Sequence, residues 1–71
     1  MKDINLVLLG RRLKDLRLCS GYSLQQLEEE SGISFANLSR YENGSGSPKI
    51  STISQILKVY DITIEDLFAM Q

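Results

Sequence analysis

Two short stretches with helical spacing of apolar residues, 24–31 and 35–42, are separated by little more than a turn around Gly32. No other feature restricts the fold of this chain so tightly. Helices joined by so few residues, with a glycine between them, cross steeply. The turn Ser31-Gly32-Ile33-Ser34 carries both of the signals it needs. Gly32 can take the left-handed conformation that stops one helix, and the Ser34 hydroxyl can cap the amides that open the next.

The same grammar of starts recurs on both sides of that pair. Ser23 can cap the amide of Gln26 while Gln26 reaches back, and Tyr22 and Leu27 flank the cap as a hydrophobic staple. Ile33 and Leu38 bracket Ser34 in the same way, and Ile62 and Leu67 bracket Thr63. Asp66 then falls at the third helical position, where a carboxylate suits the helix dipole. Stops are expected at Gly21, Gly32, Asn43-Gly44 and, less comfortably, Asp61. These signals predict helices over about 4–19, 24–31, 35–42, 50–60 and 64–69. Periodicity assigns the core to Leu6, Leu9, Leu13, Leu16, Leu24, Leu27, Ile33, Leu38, Ile50, Ile53, Ile56, Leu57, Tyr60, Ile62, Leu67 and Phe68. The segment Gly44-Ser45-Gly46-Ser47-Pro48 reads as a loop, not as an interdomain linker. The expectation is an all-α, five-helix bundle forming a single domain over residues 1–71, with no further domain after the last helix. A chain of this size buries only about 60% of its unfolded surface, so one efficient core must hold it.

Composition matters here chiefly for what it excludes. Hydrophobic residues at 42% and charged residues at 24% belong to a globular chain, not a disordered one. Histidine is absent and Cys19 is the single cysteine, so no internal disulfide, zinc site or activated thiol is available. No convergent acid–base set appears either, which points away from an enzyme and from any cofactor or small-molecule site. The apolar run Leu6 to Leu9 is too short to span a membrane and lacks a cleavage site after it. The lone thiol suits a reducing compartment, and the expected location is the cytoplasm. A net charge of −1 does not announce a nucleic-acid binder. Its distribution is more informative, because Lys2, Arg11, Arg12, Lys14 and Arg17 crowd the first segment. Glu28, Glu29 and Glu30 form an acidic run, and Asp61, Glu65 and Asp66 make the C-terminal end acidic. That asymmetry fits one DNA-facing surface, and it fits solvated helix faces equally well.

The steep helix pair, read with its neighbours, resembles the lambda-repressor-like helix-turn-helix domains of the Cro type, the xenobiotic-response-element family. The residues that carry the resemblance are Ser23-Leu24-Gln25-Gln26-Leu27, Gly32-Ile33-Ser34 and, most specifically, Ser39-Arg40-Tyr41-Glu42-Asn43-Gly44. Leu9-Gly10-Arg11-Arg12-Leu13, Leu16-Arg17, Pro48, Ile53, Ile56, Ile62 and Leu67 extend it over nearly the whole chain. What it implies is a bacterial or phage transcription regulator that lays its third helix in the major groove of double-stranded DNA. Base edges would then meet Phe35, Ala36, Ser39 and Arg40, with Arg40 the strongest reader because a guanidinium grips guanine O6 and N7 together. As a surface residue, Arg40 would instead pair with Glu28 or Glu29. Phosphates would meet Ser23, Gln25, Ser34, Asn43, Ser45 and Lys49, helped by uncommitted amides at the two helix N-termini. The resemblance also implies an ion pair between Arg17 and Glu42, and repression as a homodimer. The apolar residues Ile64, Phe68, Ala69 and Met70 are candidates for self-association.

Three positions depart from the family's pattern. Glu28 stands where alanine is usual, at the crossing of the second and third helices, and its carboxylate must lead to water or to Arg40. Leu24 replaces a phosphate-contacting glutamine, and Phe35 replaces a polar base reader. With the net acidity and a loop poor in lysine and arginine, they keep an alternative open. On that alternative the same fold serves as a protein-interaction module, antitoxin-like or an anti-repressor partner, with weak or no DNA binding.

Overall fold

The structure, a computed structural model, describes residues 5–69. Five helices follow one another: α1 (Leu6–Cys19), α2 (Leu24–Ser31), α3 (Phe35–Glu42), α4 (Ile50–Tyr60) and α5 (Ile64–Phe68). Among the described residues there is no strand, so the fold is all-α. Its starts follow the expected chemistry. Ser23 and Gln26 cap each other at α2, with bonds of 2.9 and 3.1 Å. Thr63 and Asp66 do the same at α5, at 3.0 and 3.1 Å. Ser34 Oγ accepts from the Asn37 amide at 3.2 Å to open α3.

Two boundaries differ from the sequence reading. Helix α1 opens at Leu6 because Asn5 is its cap, its side chain accepting from the Leu8 amide at 3.1 Å. Residue 4, where that helix was expected to start, lies outside the described residues. Helix α5 stops at Phe68, with Ala69 as its C-cap. Of the stop pair Asn43-Gly44, asparagine stays right-handed at φ −86° and glycine alone turns over, at φ 76°. Asp61 does adopt the left-handed conformation, at φ 58°, which a short polar side chain tolerates better than most.

The core gathers Leu9 and Leu13 from α1, Leu27 from α2, Ile33 from the turn and Leu38 from α3. Ile53, Ile56 and Leu57 of α4 and Leu67 of α5 complete it. Burying one such side chain contributes roughly 1.5–3 kcal/mol. Leu6, Leu16, Leu24, Tyr60 and Ile62 pack half-buried around this cluster, joined by Tyr41, Val59 and Ile64, which periodicity had not assigned. Two expected core residues are exposed instead, Ile50 at 55% and Phe68 at 42%. Helical side chains lean toward the N-terminus, so Ile50 at the first position of α4 leans off the end of its helix. Phe68 follows the fully buried Leu67, and consecutive helical residues point about 100° apart. In so short a helix only one of the two can face inward.

Helix α1 packs on α3, while α2 contacts both α3 and α4, and α4 contacts α5. Gln55 ties α4 to the last turn of α2, its Nε2 donating to the Ser31 carbonyl at 2.6 Å. Arg12 Nη1 donates to the Phe68 carbonyl at 3.2 Å and so links α1 to the end of α5. The α1–α3 crossing is the closest of these contacts. A Cβ on Gly10 would lie 2.4 Å from the Tyr41 carbonyl oxygen and 2.6 Å from that of Glu42. Here two helix backbones touch. No described helix is long and apolar enough to cross a membrane.

Candidate nucleic-acid interface

Helix α3 has a fixed rear and an open front. At the rear, the Arg17 guanidinium grips the Glu42 carboxylate with two bonds, Nε to Oε2 at 2.7 Å and Nη2 to Oε1 at 3.0 Å. Its remaining nitrogen, Nη1, donates to the Tyr22 carbonyl at 2.9 Å. One side chain therefore joins α1, the α1–α2 connection and the last turn of α3. Both side chains are nearly out of solvent, at 10% and 6% exposure. The hydrogen bond to Glu42 raises the Arg17 pKa above its ordinary value, against the opposing effect of burial. Tyr60 stands beside this pair with its ring 5.5 Å from that of Tyr22, edge to face. Burial, reinforced by the Glu42 charge, pushes the Tyr60 phenol up to about 12.

The front carries the four residues that the resemblance implied for base contact. Phe35 (45% exposed) and Ala36 open the helix, and Ser39 and Arg40 follow one turn later on the same side. Phe35, Ala36 and Arg40 are exposed and Ser39 is half-buried, whereas Leu38 faces the core. Arg40 pairs with neither Glu28 nor Glu29. Its guanidinium makes one long bond, 3.5 Å, to Asn37 Oδ1 on its own helix. That contact is at the limit of a hydrogen bond and leaves the side chain free to reach outward.

The residues implied for phosphate contact differ in how committed they are. Gln25 and Lys49 are exposed, Lys49 as the N-cap residue of α4, where it makes no side-chain cap bond. Ser23 and Ser34 use their hydroxyl oxygens as caps for Gln26 and Asn37, which leaves each O–H as a donor. Asn43 is exposed at the C-terminus of α3. Ser45 is turned back on the helix, its Oγ donating to the Arg40 carbonyl at 3.2 Å and its amide at 3.0 Å. Beneath it Gly46 is buried against Tyr41, whose ring would meet a Cβ there at 2.9 Å. The loop is a packed element of this surface.

The expectation of uncommitted amides at both helix N-termini needs correction at α3. Glu28 Oε2 accepts from the Phe35 amide at 3.0 Å, across the turn from the preceding helix. The carboxylate expected to seek water or Arg40 thus caps α3 itself. Capping signals in sequence run over three residues, from cap to N3. A partner seven residues upstream matches no such local pattern, and only the crossing of α2 over α3 brings it within reach.

A family model described as helix-turn-helix matches residues 13–67. Among curated proteins, the HTH-type transcriptional regulator PuuR of Escherichia coli is 35% identical over 60 residues, covering 84% of this chain and 32% of that protein. The uncharacterized HTH-type transcriptional regulator RghRB of Bacillus subtilis is 39% identical over 61 residues, 84% of this chain and 44% of its own. SinR of the same organism, also an HTH-type transcriptional regulator, is 33% identical, with 55% of its length covered. The chain thus spans about a third of the first of these relatives and about half of the last. A crystal structure of an HTH_3 family transcriptional regulator from Vibrio cholerae superposes with a TM-score of 0.86 at 31% identity, over 92% of this chain and 36% of that one. With a match spanning most of its length and a fold shared almost throughout, the chain belongs to the lambda-repressor-like helix-turn-helix family, HTH_3.

Proposed function

We propose that the chain is a sequence-specific binder of double-stranded DNA that regulates transcription, as a repressor, in the cytoplasm of a bacterium or of a phage-infected cell. The observation that carries this reading is the row of exposed Phe35, Ala36 and Arg40 with half-buried Ser39, on a helix whose other side is locked. Arg40 reads a base, and the row around it fits the width of a major groove. Ser23, Gln25, Ser34, Asn43, Ser45 and Lys49 hold the backbone on either side, positioning the helix without reading sequence.

Truncating a reader and truncating a positioner should fail differently. Arg40→Ala should cost about 1–3 kcal/mol on a duplex selected from a random library and relax discrimination at one base pair. Asn43→Ala should weaken selected and scrambled duplexes by similar factors, because phosphates carry no direct sequence information. The measurement compares wild type and both variants on both duplexes at one salt concentration. Unchanged affinities for Arg40→Ala would count against groove reading by α3.

The active unit on this reading is a homodimer on a two-fold site, with half-site centres about 34 Å apart. The exposed Phe68 and Ala69 and the half-buried Ile64 support this surface for self-association; Met70, which was expected to join them, lies outside the described residues. Sedimentation of protein alone and with duplex should show two chains on each site, and a single chain in both samples would refute the dimer.

One observation favours a second reading. A phenylalanine 45% exposed at the tip of α3 is a large apolar group facing solvent, as suits an anchor for a protein partner. Titration against random duplex at low salt separates the two, since a module of that kind would not bind even there.

A further inference from the structure

The two helices of the motif present different N-termini to a duplex. At α2 the cap is neutral, built from the Ser23 hydroxyl and the Gln26 amide group. At α3 the Ser34 hydroxyl takes the Asn37 amide, and the first amide, that of Phe35, is already held by the Glu28 carboxylate. A helix N-terminus with free amides attracts phosphate. One that already holds a carboxylate has lost a donor and gained a negative charge.

We propose that Glu28 is a specificity-determining residue, one that works against non-specific DNA. This inference rests on the DNA-binding reading above. On random duplex the pose is set by phosphates alone, and any open amide is a seat for one. The Glu28 charge makes the Phe35 amide a poor seat and leaves phosphate anchoring to α2, the loop and the Ser34 hydroxyl. In the specific complex Phe35 turns to base edges inside the groove and only the Ser34 hydroxyl, a donor, meets a flanking phosphate, so the Glu28 carboxylate lies further from phosphate and repulsion is weaker. The charge therefore lowers affinity for random sequence more than for the preferred one. The hydrogen bond has a separate, positioning effect, since it fixes Phe35 at the end of the reading row.

Charge and hydrogen bond are separable by substitution. E28Q keeps an acceptor for the Phe35 amide and removes the charge. E28D keeps the charge on a stem too short for the same bond. Affinities of wild type and both variants are measured on a library-selected duplex and on a scrambled duplex of equal composition, with thermal melting of each free protein. E28Q should bind the scrambled duplex about twofold more tightly, the effect of one unit charge some 8 Å from a phosphate in water, and gain less on the selected one. E28D should bind scrambled DNA as wild type does, even if its melting temperature falls. A purely structural cap would behave otherwise, with affinities on both duplexes following the melting temperature. If wild type binds and E28Q does not tighten the scrambled complex, or E28D tightens it equally, this inference is wrong and the DNA-binding reading stands. If wild type binds neither duplex, both are wrong.

Discussion

Gly10→Ala should destabilise the fold by about 3 kcal/mol, although alanine is the better helix former. Propensity alone would favour the change by about 1 kcal/mol in the middle of a helix. Packing opposes it, because the new Cβ would meet the Tyr41 and Glu42 carbonyl oxygens at 2.4 and 2.6 Å. Those atoms belong to the α3 backbone, so no rotamer change can clear the space, and helix must part from helix. Overpacking a tight contact costs about 1–3 kcal/mol where side chains can adjust, and here they cannot. For a chain of this size each kcal/mol lowers the melting temperature by about 4–8 °C. A fall of about 15 °C is therefore expected by thermal melting, with a matching shift in the urea midpoint. A rise, or a fall of under about 4 °C, would show that the crossing is looser than this geometry.

Glu42→Ala should have an effect of similar size for a different reason. It removes no large volume, but it leaves the Arg17 guanidinium in an 8% exposed residue with only the Tyr22 carbonyl to meet it. Stranding one partner of a buried pair costs about 3 kcal/mol. Exposed pairs are worth less than about 1 kcal/mol, so chemical denaturation distinguishes the two cases clearly. The double variant Arg17→Met with Glu42→Leu should recover most of the loss, since apolar residues of similar volume need no compensating charge. A double variant as unstable as Glu42→Ala alone would mean that the bond to the Tyr22 carbonyl, lost with Arg17, contributes to this corner as much as the ion pair does.

Much of the architecture can be read from local chemistry. Ser23, Ser34 and Thr63 cap the helices their neighbours announce, and Asp61 turns left-handed where the fourth helix must stop. Misreadings fall at helix ends, at Asn5, Ile50 and Phe68, where a periodic stripe overruns the neighbour that would cover it. The site is legible in part. Its row on α3 and the residues of the Arg17–Glu42 pair both follow from the resemblance. The Glu28 cap does not, because it depends on how two helices cross. Nor does the role of Gly10. A glycine inside an apolar-periodic helix does carry a hint of close approach, but the sequence does not show what approaches.

The backbone contact at Gly10 also bears on how such a protein changes over evolutionary time. Helix α3 takes its attitude from main-chain atoms and from a buried pair on one side, and it shows Phe35, Ala36 and Arg40 on the other. Residues at 35, 36 and 40 contribute little to holding the helix in place, so substitutions there and at the locking side should combine nearly additively. If α3 reads bases as proposed, new operator preferences lie within single steps of the present sequence, each reachable without passing through an unfolded intermediate. A lineage carrying this crossing can change the exposed face of α3 while the variants along the way still fold.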